Sequence, residues 1–269
     1  MLTGRTDTTR TTLMINLKDP HMSSVLKKLL TGITGLSLVL FLIVHLIGNF
    51  TLFAGPEVFN AYARFLHHFM HGMFIRVAEV GLLGFFLLHI WTAMSVQLGK
   101  KKARPSRYAV SEYAKGPSKR SFHSMYMAVS GTILLLFVIV HLINFKYADH
   151  DVVGTMTLQG GIEAPNVYRL VVEKFQGNFG YVLFYMLAMG VLCSHLLHGI
   201  WSAFQSLGLS RPSTIPYLHV TGMAMAVALA VGFFLLPILI FMMRDTFDPN
   251  AMPDPGGHAR LLLNFIPFA

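Results

Sequence analysis

Four histidines stand inside four separate apolar stretches long enough to cross a bilayer: His45, His89, His141 and His195, with His198 one turn beyond the last. An imidazole in hydrocarbon is costly and uncommon, so each is a candidate functional group. Its neutral form offers a nitrogen lone pair to a metal at about 2 Å, while the other ring N–H bonds a nearby acceptor and fixes the tautomer. Two such ligands fill both axial positions of a haem iron, which suits electron transfer rather than oxygen binding. Histidines at two depths therefore predict two stacked bis-histidine haems. The single cysteine, Cys193, leaves no disulfide framework, no thiolate-held iron–sulfur cluster within this chain and no Cys-x-x-Cys-His attachment motif. The haems expected are of the b type, held by ligand bonds and packing.

The elements that must position these side chains follow from hydropathy. Of 269 residues 54% are hydrophobic and only 12% charged, a composition of an integral membrane protein. Five apolar runs, at about 29–53, 74–98, 125–145, 181–204 and 217–243, each have the roughly 20 residues that a helix needs to cross ~30 Å of hydrocarbon. An all-α membrane domain of five transmembrane helices is expected over 29–243. A polar N-terminal segment, 1–28, precedes it and a Pro-containing tail, 244–269, follows. The first span has no cleavage signature and reads as a retained helix.

Basic residues set the expected orientation. Fourteen of the 21 lysines and arginines fall before the first span, between Lys100 and Arg120, or at Arg211. The positive-inside rule then puts the N-terminus in the cytoplasm and the C-terminus outside, in a multi-pass protein of the inner cell membrane. The net charge of +9 follows from this topology and from lipid headgroups, with no basic soluble domain to suggest nucleic acid.

An internal repeat organises the spans. Residues 34–49, TGLSLVLFLIVHLIGN, align without gaps to 130–145, SGTILLLFVIVHLINF, with about nine of sixteen positions identical. His45 superposes on His141 and Gly35 on Gly131. The second and fourth spans match more loosely, LLHIWTAM against LLHGIWSAF. At 1.5 Å per residue His45 and His141 lie ~25 to 32 Å from the inner face, whereas His89, His195 and His198 lie ~17 to 24 Å from it. Gly35, Gly84, Gly131 and Gly190 offer room for a macrocycle beside the backbone or for close helix contacts.

These segments, with the inner loop KARPSRYAV from Lys102 and HLLHGIWSAFQSLG from His195, resemble the single-polypeptide dihaem cytochrome b membrane anchor of succinate:quinone oxidoreductases, the succinate dehydrogenases and fumarate reductases. The likeness runs from about Lys27 to Leu209. It implies a haem-binding four-helix bundle made by the first four helices, with His45 and His141 on the outer haem iron and His89 and a fourth-span histidine on the inner. His195, four residues before a small residue as His89 is, is preferred; His198, nearer His89 in depth, is the alternative or a propionate contact. The resemblance also implies an iron–sulfur subunit and a flavoprotein subunit on the cytoplasmic face, and membrane quinone, menaquinone or ubiquinone, as substrate. This chain would then be the quinone-reactive half of the enzyme and would not touch the dicarboxylate.

Quinol oxidation needs a proton acceptor near the outer haem. Glu79 is the best-placed carboxylate, with Arg76 one turn earlier as a partner. His67, His68 and His71 are expected in an exposed outer loop. Arg104, Arg107, His123 and Arg211 are inner-face candidates for propionates or interfacial anchoring. Cys193 stands where some family members carry an acidic residue thought to help move protons, so that route is not expected here. The fifth span, with Pro237 and His219 near its inner end, reads as a packing helix. Two other readings fit histidine spacing: a haem b anchor of a hydrogenase or formate dehydrogenase, and a haem-free transporter with a histidine proton relay.

Overall fold

The computed structural model describes residues 22–102, 126–148 and 154–242. Five of its helices are long and apolar enough to span a membrane. The first, α1 (Ser24–Phe50), starts where the Ser23 hydroxyl accepts a hydrogen bond from Leu26 N at 3.2 Å, satisfying a free N–H of the first turn. A 3₁₀ turn over Thr51–Ala54 leads through Gly55 into the short amphipathic α2 (Pro56–His68), with Pro56 in its first turn. A tight turn follows, with Met70 and His71 in the left-handed region, and α3 (Met73–Lys102) returns across the bilayer.

Helix α4 (Met127–His141) continues into a π-type turn over Leu142–Lys146. An antiparallel hairpin follows, β1 (Thr155–Leu158) on β2 (Ile162–Pro165), with Leu158 opposite Ile162. Gly160 and Gly161 both have positive φ at its tip, a conformation that costs glycine little. Then come α5 (Val167–Gly177), capped by Asn166, and the last two spans, α6 (Phe179–Ser206) and α7 (Ile215–Met242).

The five expected spans correspond to α1, α3, α4, α6 and α7, with ends displaced by a few residues. The connections between them differ more. The connection between α4 and α6 holds the hairpin and α5, and the one between α1 and α3 holds α2. These pieces form a cap over one end of the bundle. Asn60, 1% exposed, is its centre: Nδ2 donates to Asn166 Oδ1 at 3.0 Å and to Met156 Sδ at 3.1 Å, and Oδ1 accepts from Tyr168 N at 2.9 Å. The Glu57 carboxylate accepts from Gln159 N at the hairpin tip. Val58 and Ala61 of α2 pack on Leu158 and Ala164, while Tyr168, Val172 and Phe175 of α5 pack on Val182, Tyr185 and Ile240 of the spans.

Within the membrane layer α1 lies against α3 and α6, and α6 also lies against α4 and, most extensively, α7. Small residues permit the closest approaches, as expected where lipid offers no hydrophobic drive for helix association. A Cβ built on Gly232 of α7 would stand 2.6 Å from Leu46 Cδ2 of α1, and one on Gly222 3.1 Å from Ile200 Cγ2 of α6. The core between these helices is Val39, Leu46, Leu192, Leu196, Ala226 and Leu229. Large apolar side chains on the outer faces, such as Val80, Leu87 and Leu187, are exposed, the arrangement lipid requires.

Candidate functional site

The bundle brings the predicted histidines together at two levels. Nearer the cap, the His45 and His141 rings meet with centres 5.9 Å apart and planes at 88°. Imidazoles on opposite sides of one metal, each with a nitrogen at about 2 Å, place their ring centres about 6 Å apart. The observed spacing suits such a pair. Aromatic rings wall it off. Phe41 stacks on His45 at 5.2 Å and Phe233 of α7 lies 5.7 Å from it. Phe137, Phe145 and Tyr185 surround His141. The Nδ1 atom of His141 is buried and has no hydrogen-bond partner among the described residues. A buried polar atom left so calls for a group that the chain itself does not supply.

Towards the opposite end His89 of α3 and His195 of α6 come near each other. Each is met by the corresponding residue of the internal repeat. Thr34 Oγ1 of α1 lies 3.3 Å from His89 Nδ1, and Ser130 Oγ of α4 lies 3.0 Å from His195 Nδ1. The next residue in both cases is glycine. A Cβ on Gly35 would stand 3.2 Å from His89 Cε1, and one on Gly131 3.4 Å from His195 Cε1. The hydroxyl-bearing turn of one helix therefore lies flat against the imidazole of the next. His198, one turn along α6, is half-buried and within electrostatic range of His195, but His195 occupies the place equivalent to that of His89.

Of the glycines singled out in the sequence, Gly35 and Gly131 touch imidazoles, whereas Gly84 and Gly190 have no atom within 4 Å of where a Cβ would stand. The helices are thus in contact at the superposed pair Gly35 and Gly131 and leave open space at Gly84 and Gly190. Two pairs of neutral nitrogen donors, an orphaned imidazole nitrogen and clear flanks fit a flat, bis-imidazole-ligated metal group. Among the described residues no cluster of three or more His, Cys, Asp or Glu side chains is suited to hold a bare metal ion.

One sequence expectation is corrected. Glu79 is half-exposed and forms its ion pair with Lys146, at the end of the π turn after α4, rather than with Arg76. The two charges come from different helices, so spacing along α3 gave no sign of it. The Arg76 guanidinium instead lies beside Gly72. His67, His68 and His71 are exposed in the cap, in α2 and the turn after it, and His68 Nδ1 lies 3.0 Å from Arg64 O. His219 meets Trp201 edge-on at 5.5 Å towards the end opposite the cap. Arg104, Arg107, His123 and the segment after Lys102, beyond the end of α3, lie outside the described residues.

Thr34, Ser130 and the buried Asn144, which donates to the Tyr185 hydroxyl at 3.2 Å, were not singled out by sequence reasoning. For Thr34 and Ser130 a signal existed, because they superpose in the repeat directly before the superposed glycines. No family model, curated protein or solved structure matches this chain.

Proposed function

We propose that the chain is the dihaem cytochrome b membrane anchor of a succinate:quinone oxidoreductase, passing electrons between an iron–sulfur subunit and membrane quinone. The observation that carries this reading is the meeting of four histidines, from four different spans, as two pairs at two depths. His45 and His141 would hold the haem iron nearer the cap, and His89 and His195 the other. Haem b supplies reversible one-electron chemistry at each level.

The chain's own residues define what surrounds that chemistry. The rings around His45 and His141 exclude water, lowering the local dielectric. Glu79 stands at the cap end of α3, where a quinol proton would be released, and is ion-paired to Lys146. Arg76, near the same end, offers a cation for a quinone oxygen. The end opposite the cap, expected on the cytoplasmic side, would dock the iron–sulfur subunit, which carries the flavoprotein. The resemblance of the histidine segments to this family supports the succinate assignment over a hydrogenase or formate dehydrogenase anchor.

A pyridine haemochrome assay on the purified chain is the direct test. Two haems b per chain, with a flavin-bearing subunit copurifying and succinate-driven quinone reduction, are the expected results. A colourless, correctly inserted chain would overturn the proposal in favour of a proton-relay transporter. Two haems with a different catalytic partner would move it to another respiratory enzyme.

A further inference from the structure

The hydroxyls of Thr34 and Ser130 each lie between a carbonyl of their own helix and the imidazole they touch, and each has a single proton to give. Thr34 Oγ1 donates to Leu30 O at 2.7 Å, and Ser130 Oγ donates to Met127 O at 3.1 Å. What remains toward His89 and His195 is an oxygen lone pair. Such a lone pair is matched by a hydrogen on Nδ1, the tautomer this geometry favours for both histidines. Nε2 then keeps its lone pair free.

Burial makes the arrangement strict. Thr34 is 1% exposed and Ser130 7%, so water does not replace either partner without cost. Gly35 and Gly131 let each hydroxyl reach its ring, since a side chain at either position would press on Cε1, between the two nitrogens. The same hydroxyl–glycine pair serves both histidines from α1 and α4, the repeated helices. At the cap level no hydroxyl plays this part for His141, whose Nδ1 has no partner among the described residues.

We propose that Thr34 and Ser130 are positioning residues that lock His89 and His195 in the Nδ1–H tautomer, so that Nε2 of each is presented to one of the two haem irons and not to the other. The proposal rests on the haem reading above and adds what distinguishes the two levels. A hydrogen bond accepted from Nδ1–H makes Nε2 a better donor and favours the oxidised metal. Its loss raises the potential of that haem.

The test is an optical redox titration of the intact complex carrying Ser130→Ala or, independently, Thr34→Val. One haem midpoint is expected to rise while the other stays in place, and haem affinity at that level falls about ten- to a hundred-fold. Ser130→Thr, the residue used at the equivalent position 34, should restore it. Thr132→Ala is the control, because the Thr132 hydroxyl is exposed and bonds only Ala128 O. Unchanged midpoints in both variants, or equal shifts of both haems, would overturn the proposal with the haem reading intact. A wild-type chain without haem would defeat the haem reading itself. The ¹⁵N shifts of His89 and His195 in the labelled chain still report the lock: Nδ1–H sustains it and Nε2–H overturns it.

Discussion

The rings of His45 and His141 meet edge to face with centres 5.9 Å apart, although 96 residues separate them in the chain. They are the two copies of one repeated histidine, brought to the same depth by α1 and α4. Replacing His141 with Ala is expected to remove one haem of two and leave the other spectrally normal, as measured by pyridine haemochrome and low-temperature difference spectra. Equal loss of both would break the assignment of pairs to levels.

The choice between His195 and His198 is settled by the same assay. His195→Ala should cost one haem, because Ser130 and Gly131 are built around that ring. His198→Ala should retain two.

Glu79 and Lys146 are each about two-fifths exposed, so their ion pair contributes no more than about 1 kcal/mol to stability. Glu79→Gln is therefore expected to leave the melting temperature and haem content nearly unchanged while depressing quinol oxidation. Normal quinol turnover in this variant would remove the carboxylate from the proton pathway.

Gly232 of α7 admits no larger residue while Leu46 stays in place. Gly232→Ala should destabilise the folded chain by about 1–3 kcal/mol through overpacking, visible as a lower thermal midpoint in detergent. Combining it with Leu46→Ala should recover part of the loss.

In the cap, the Glu163 carboxyl is held below its ordinary range by hydrogen bonds from Thr157 and Thr155. A carboxyl lowered by folding stabilises the hairpin above the unfolded value, and that contribution disappears as pH falls through the lowered one. Proteolysis at the hairpin tip should accelerate on acidification, and Thr157→Val should flatten that dependence.

The spans were legible because lipid imposes a length and a composition that no loop shares, and the histidines because so few polar residues lie inside those spans. The cap was not. Its helices α2 and α5 are short and amphipathic, and they bury their apolar sides against each other's neighbours through Asn60, a contact across 108 residues that no local pattern announces. Glu79 shows the same limit: the nearest cation in sequence is Arg76, while the one in space is Lys146. The pairing of each hydroxyl–glycine step with the histidine of the next span was half visible, since the repeat marked the positions without saying what they face.

Helix α7 belongs to neither copy of the repeat, yet its Phe233 leans on His45. Gene doubling alone would yield twin halves with no preferred direction. A lone extra strut pressed to one twin breaks the tie, giving otherwise interchangeable halves unequal surroundings.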